Sequence, residues 1–444
     1  MCAKNRAVQA FVLWIAVAGG GLGMASEPSP PEDPLLVALV QEAVERNPDL
    51  LSARELLAAA RSRPDQARAL PDPMVSVTYT NDGWRPTLGE RDMTTLGFLW
   101  SQDLPYPGTR GLRADLLARE ADEAGARLDR LRLGIVAALK RAYYGLLLAR
   151  DLQVLLEEQE VVWKEIEGVA RARYAVGQGA QQDVLRVQVE VTRLEQLRAE
   201  LEAEVEVRLA ELNALLDRPP DTPLSTTARL ALRPELRDLA ALLPALEAAS
   251  PELRGGLFSA ERERLAVGLA RKGSKPDFSI QAGYMNRGGL DAMWQAGVGV
   301  SLPLSRKKRE GALLEAEARL RASERRTDSS RLRLRSRTQQ RLSQLRAAEK
   351  IAELYAGGII PQAQMSVEAA IANYQAGKLP FISVLEALTR LYGDRTTYLR
   401  LLARHETTRA ALEEASLGAE AGMPEAGTPA MGAPSLGTAD PMGN

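Results

Sequence analysis

The chain has 444 residues, 45% of them hydrophobic and 26% charged, which is an ordinary balance for a folded protein. Its 57 basic and 58 acidic residues nearly cancel, which makes nucleic acid a poor first guess for a partner. With one cysteine, Cys2, and one histidine, His405, it lacks the residues for a disulfide framework, a Cys/His metal site or a Cys/His dyad.

Lys4 and Arg6 precede an apolar run from Ala7 to Ala18, and the adjoining stretch to Ala25 is small and glycine-rich. This predicts a secretory signal peptide over residues 1–25. A transmembrane anchor needs about 20 apolar residues, and this run ends in glycine before reaching that length. Cleavage removes Lys4, Arg6 and Cys2, leaving 55 basic and 58 acidic residues and no cysteine. No later segment has about 18 consecutive apolar residues, so a membrane crossing in the mature chain has to use β-strands. Residues 26–34 read as a flexible N-terminal segment.

The rest of the chain is one unit written twice. Asn47, Pro48, Asp49, Leu50 opens a helical stretch that runs to Pro71, and Ser250, Pro251, Glu252, Leu253 opens another that runs to Pro276. Two alternating segments come next in each half, then a long helical pattern, a glycine turn and a return helix. Tyr174, Gly177, Val184 and Leu185 recur 200 positions later as Tyr374, Gly377, Val384 and Leu385. Residues 35–217 are therefore read as the first repeat and residues 236–415 as the second, joined by a proline-bearing linker over 218–235.

The expected hairpins, 73–103 and 276–303, carry a period of two. Val75, Val77 and Tyr79 alternate with Ser76, Thr78 and Thr80; Leu96, Phe98 and Trp100 alternate with Thr95, Gly97 and Ser101. In the second copy Phe278, Ile280, Ala282 and Tyr284, then Trp294, Ala296, Val298, Val300 and Leu302, form the apolar sides. A tilted strand of about nine residues crosses the apolar layer of a bilayer. Periodicity alone also allows two soluble hairpins with one wet face. Four strands do not close a membrane barrel, so the membrane reading requires an oligomer.

From about Arg110 to Tyr174 the chain has no proline. Roughly 65 residues at about 1.5 Å each would span close to 100 Å. Leu128, Leu131, Ile135, Ala138, Ala142, Leu146 and Ala149 recur at steps of three and four, a coiled-coil seam that Val191, Leu194, Leu197, Leu201, Val205 and Leu212 continue on the return helix. The stretch from Arg306 to Tyr355 is rich in arginine and reads as a solvated helix face paired with acids. His405 lies in a charged helical stretch and reads as a surface residue. Residues 416–444, rich in Gly, Ala and Pro, read as a disordered tail.

In the order of these elements the chain resembles the TolC-like family of outer-membrane efflux proteins. The resemblance rests on Asn47–Pro48, the strand entry Leu70–Met74, the strand exit Ser101–Gly108 and the turn with Arg173, Tyr174, Gly177, Asp183, Val184 and Leu185. It implies an α+β membrane protein. Three copies would give four strands each to a trimeric 12-stranded outer-membrane β-barrel, continued by a long periplasmic α-helical barrel. It also implies a passive export duct, a homotrimer in outer-membrane lipid, with a periplasmic adaptor and an inner-membrane, proton-driven efflux transporter as partners. The adaptor-docking tips would be Tyr174, Gly177, Gly179, Tyr374, Gly377 and Pro380, and the gate Asp183, Arg186, Ser383 and Glu386. The second turn has Leu379 and Pro380 where the first has Gly179 and Ala180, which puts equal roles in doubt. The entry and exit motifs are most similar to the heavy-metal cation efflux branch. No cofactor, metal site, catalytic residue or nucleic-acid contact is expected. The competing reading is a periplasmic coiled-coil adaptor or scaffold without a membrane barrel.

Overall fold

The computed structural model describes residues 33–88, 91–233 and 239–413. The signal peptide and the C-terminal tail lie outside the described residues, as does most of the segment 26–34. The last two residues of that segment belong to the start of the first helix, α1 (Pro34–Arg46). Asp33 caps it, accepting from Leu35 N at 3.0 Å, and its carboxylate also takes the Tyr143 hydroxyl. A carboxylate facing orphan helix N–H groups fixes where α1 begins.

Helix α2 (Pro48–Arg68) begins at Asn47, whose Oδ1 accepts from Asp49 N at 3.1 Å and Leu50 N at 3.3 Å. The amide of the same side chain donates to Leu215 O at 3.1 Å, tying this corner to the end of a distant helix. Proline suits the first helical position, where no N–H is needed. Strands β1 (Met74–Thr80) and β2 (Thr95–Leu104) follow, then α3 (Thr109–Ala175) and α4 (Gln181–Leu215). The order then recurs: α5 (Leu239–Ala249), α6 (Pro251–Lys272), β3 (Asp277–Arg287), β4 (Leu290–Ser301), α7 (Arg306–Leu354), α8 (Ile360–Gln375) and α9 (Phe381–Glu413). Ser250 caps α6 as Asn47 caps α2, accepting from Leu253 N at 3.4 Å. A single π-turn, Tyr355–Ile359, separates α7 from α8 just before Pro361, which lacks the N–H that a continuous helix would use.

The four strands form one antiparallel sheet in the order β1-β2-β3-β4. Its register decides what each face carries. Val77 lies opposite Phe98, Phe98 opposite Tyr284 and Tyr284 opposite Trp294; Val75 lies opposite Trp100, and Ile280 opposite Val298. Every apolar stripe of the sequence thus falls on the same side of the sheet. Trp294 is 81% exposed and Val298 74%, so nothing among the described residues covers that side. The opposite face carries Ser76, Gly97, Gln281, Gln295 and Gly299, and is polar or small apart from Met74, Leu99, Met285 and Met293. Strands β1 and β4 are free edges.

The core lies among the helices. Around the middle of α3, Leu139, Tyr143 and Leu146 are fully buried against Leu36, Leu39, Leu50, Leu212, Leu216 and Leu402. A second cluster nearer the α3–α4 turn gathers Trp163, Ile166, Val187, Phe381, Val384 and Leu388. The seam expected on α3 and α4 is present except at Leu197, which is exposed. On α7 Arg306, Arg319, Arg325, Arg331 and Arg335 pair with acids, Arg319 with Glu315 and Arg335 with Glu247 among them. Arg341 departs from that reading. It is buried and donates Nη1 to Ala411 O at 2.7 Å.

His405 is the clearest correction, because it is a core residue at 1% exposure. Its Nδ1 lies 3.3 Å from Glu406 Oε1 and its Nε2 3.3 Å from Glu349 Oε1, linking α9 to α7. Arg409 holds the far oxygen of Glu406 at 2.8 Å. The charged character of the helix around His405 is as expected; the partner helix buries those charges together. Burial pushes the imidazole pKa down, but the hydrogen bonds and charges of Glu406 and Glu349 outweigh it, and the net shift is upward from 6.5. Burial likewise opposes the charge on Glu406, yet His405 and the two nearby arginines, Arg409 and Arg233, pull its pKa below 4.5.

These shifts fix a sign. The histidine contributes its full stability below its unfolded pKa and loses it as pH rises through the higher folded value; Glu406 loses its contribution on acidification. Thermal melts followed by tryptophan fluorescence should peak between about pH 5 and 6.5 and decline toward pH 8.5, because only His405 titrates on that side. His405→Gln should flatten the alkaline decline, and an unchanged slope in that variant would refute the assignment.

Candidate functional site: the paired helical tips

At the end of the molecule remote from the sheet, α3 turns into α4 and α8 into α9. The two reversals are built alike. Gly177 sits at φ +73° and Gly377 at φ +72°. Gln178 N donates to Arg173 O at 2.9 Å and Gly177 N to Tyr174 O at 3.0 Å; Lys378 N donates to Asn373 O at 2.9 Å and Gly377 N to Tyr374 O at 3.0 Å. This pair of bonds, six-to-one and five-to-two, satisfies the last helical carbonyls and needs a left-handed residue after the cap. Glycine takes that conformation without the steric penalty of a Cβ.

The side chains around the turns are not alike. Tyr174 is half exposed, whereas Tyr374 is 3% exposed and meets Phe381 edge-on with ring centroids 5.6 Å apart. The Arg173 guanidinium stacks over the Tyr374 ring, 4.6 Å from its centroid, while its Nη2 donates to Gln178 O at 3.0 Å. Arg173 Nε and Nη1 and the Tyr374 hydroxyl are buried without a hydrogen-bond partner among the described residues. Burial first, and then the negative charge of Asp183, push the Tyr374 hydroxyl pKa up, against the lowering effect of Arg173. One arginine, one tyrosine and one aspartate from α3, α8 and α4 therefore join the two tips.

Of the residues named from sequence, the fold brings Asp183 to Tyr374 and leaves the other three apart from them. Arg186 and Ser383 are half-buried, Glu386 is exposed, and the side chains of all three make no hydrogen bond or ion pair with a described residue. Ser383 instead donates its backbone N–H to Pro380 O at 3.1 Å, which starts α9. The doubt about equal turns applies to the side chains and not to the backbone. Gly179 lies tight against the preceding helix, where a Cβ would stand 3.1 Å from Arg173 Cβ, while the matching Leu379 projects partly into solvent. Arg173 and Phe381 were not singled out as site residues. The available signal was the mismatch between copies, since Arg173 corresponds to Asn373 and Phe381 follows a proline that the first copy lacks.

A sheet with one apolar face, joined through its strand ends to helices of 67 and 49 residues and ending in two matched turns, defines a membrane channel with a long helical extension. The pattern of the outer membrane efflux protein family matches residues 39–218 and 242–418, and the chain belongs to that family. It is the outer-membrane channel component of a tripartite export system and extends into the periplasm. The chain is 27% identical over 326 residues to the nickel-cobalt-cadmium resistance protein NccC of Alcaligenes xylosoxydans xylosoxydans, covering 72% of each chain. It is 24% identical to the cobalt-zinc-cadmium resistance protein CzcC of Cupriavidus metallidurans, covering 88% of this chain and 92% of that one. Its fold is similar to the outer-membrane channel OprN, with a TM-score of 0.75 at 19% identity over 86% of this chain and 90% of the other.

The turns yield a direct test of the backbone argument. Nothing lies within 4 Å of a Cβ at Gly177, so Gly177→Ala should cost only the left-handed strain, about 1 kcal/mol. Urea unfolding of the detergent-extracted protein should register that loss, and no loss would mean the turn relaxes to another shape.

Proposed function

We propose that three copies of the chain close their sheets into a 12-stranded outer-membrane barrel, and that their long helices continue it as a hollow tube across the periplasm. The carrying observation is the sheet itself: one uncovered apolar face and two free edges. Unpaired backbone groups are costly in lipid, so β4 of one copy pairs with β1 of the next until the ring closes. The recurring element order supports reading residues 35–217 and 236–415 as two copies of one unit. A soluble adaptor or scaffold has no use for an uncovered apolar face running across all four strands.

The tips, Tyr174, Gly177, Gly179, Tyr374, Gly377 and Pro380, form the docking end for a periplasmic adaptor, and through it for an inner-membrane, proton-driven transporter. The cluster of Arg173, Tyr374 and Asp183 holds the tip closed in this reading, with Arg186, Ser383 and Glu386 supplying contacts to neighbouring copies. The cargo class is a divalent transition-metal cation. The names of NccC and CzcC support that class, and the largely polar second face of the sheet suits a hydrated ion.

Light scattering of the detergent-extracted protein, with detergent mass subtracted, should give three times the chain mass in the outer-membrane fraction. A water-soluble monomer would sink the barrel. In planar bilayers, Asp183→Ala should raise single-channel conductance about two-fold or more by loosening the tip. Equal conductance would remove Asp183 from the gate. Deletion in the parent cell should raise sensitivity to cobalt, nickel or cadmium, and sensitivity to hydrophobic drugs alone would reject the metal cargo.

A further inference from the structure

A dense basic patch lies at the periplasmic end of the sheet, where strands give way to helices. Arg271, Lys272 and Lys275 precede β3, and Arg306, Lys307, Lys308 and Arg309 open α7. The same two stretches hold only two acids, Asp277 and Glu310, and both are occupied. Asp277 accepts from Tyr106 N at 2.7 Å, and Glu310 pairs with Arg306 at 2.8 Å. Several of the cations also have structural duties. Lys272 donates to Pro107 O at 2.8 Å, while Arg309 donates to Pro303 O at 2.6 Å and to Gly273 O at 3.0 Å. Lys275, Lys307 and Lys308 are exposed, and their side chains have no hydrogen-bond or ion-pair partner among the described residues.

The surroundings say what these three lysines face. The first turn of α7 has no acid and Ser305 makes no side-chain cap, so four cations are stacked on the positive end of a helix dipole. Glu310 and two carbonyls answer Arg306 and Arg309, and an anion beside Lys307 and Lys308 would be favoured. Immediately beside it the apolar side of β3 and β4 runs out through Phe278, Val300, Leu302 and Leu304, and Leu304 is 85% exposed. Lys275 stands two residues before the strand pair Asp277–Ser301, and Lys307 six residues after it. Each leaflet's headgroup layer is about 5–8 Å deep, within the reach of a lysine whose stem lies along apolar surface. An apolar band that ends in unpaired cations matches a molecule with acyl chains and a negative head.

We propose that Lys275, Lys307 and Lys308 hold the headgroup phosphate of an anionic phospholipid of the periplasmic leaflet, whose acyl chains lie on Phe278, Val300 and Leu302. The inference rests on the membrane-barrel reading above. The site anchors the boundary between barrel and helices at a fixed depth.

The full-length protein, extracted as its native assembly, is titrated with phosphatidylglycerol and separately with phosphatidylcholine of the same acyl chains, and bound lipid is counted by native mass spectrometry. Each surface lysine contributes about five-fold to affinity for an anionic surface. The wild type should therefore prefer phosphatidylglycerol by about ten-fold or more. Lys275→Gln/Lys307→Gln/Lys308→Gln should reduce that preference to about three-fold or less while retaining the assembly mass and liposome insertion of the wild type. Arg132→Gln/Arg321→Gln/Lys350→Gln, an equal charge change on the helices, should keep it. Equal affinity of the wild type for both lipids, or a preference intact in the lysine triple variant, overturns the proposal alone. Failure of the wild type to insert into liposomes overturns the barrel reading and this proposal with it.

Discussion

Inside hydrocarbon every backbone N–H and C=O has to find a partner within the protein, and that requirement governs how this chain is built. The described fold satisfies it along β2 and β3 and leaves it unsatisfied along the outer edges of β1 and β4. A sheet of four strands with one apolar face and two unpaired edges does not close on itself. The chain has no cysteine beyond Cys2 with which to staple the sheet, so the helices have to hold it in place. The junction residues serve that end. Pro105 and Pro303 cannot extend the strand ladder, and Lys272 and Arg309 satisfy the carbonyls that the change of direction exposes.

The long helices carry this constraint away from the membrane. A helix of 67 residues is supported along its length, and the first third of α3 lies against α2 and α6 with Ala114, Ala121 and Ala126 buried. At its middle it is buried on most sides, with α1, α4, α9 and the segment after Leu216 packed around Tyr143 and Leu146. Near its end it is one wall of a cluster centred on Trp163. The buried ion network of His405, Glu406, Glu349 and Arg409 sits among the helices α7 and α9. Removing one partner of such a buried network is costly because the remaining charges lose part of their compensation.

The two tips share a backbone and differ in their side chains. Backbone and hydrogen bonds are the same in both turns, as the recurrence of tyrosine and glycine three residues apart required. The side chains diverge: Arg173 in one copy reaches Tyr374 in the other, and the tyrosine that is exposed in the first is a core residue in the second. One stacked cation and one half-buried carboxylate join the two turns, apart from the clusters above them.

Much of this was legible in the amino-acid order, because periodicity is a local property. Alternation in Val75–Tyr79 and Phe278–Tyr284 marks strands whichever partner they meet, the absence of proline from Arg110 to Tyr174 permits one helix, and Asn47–Pro48 and Ser250–Pro251 mark helix starts through capping chemistry that acts over three residues. Contacts between distant segments were not legible. His405 read as a surface residue because its own helix is charged, and only the packing of α7 against α9 placed Glu349 on its other side. Arg173 and Phe381 looked like ordinary helical positions until two turns 200 residues apart in sequence came to the same place. The sequence by itself determined the elements, their order and the two glycine reversals, since each follows from neighbours a few residues away. The tertiary structure alone decided which charges are buried, which tyrosine belongs to the core and which edges of the sheet are free, because these depend on what the chain brings together across hundreds of residues.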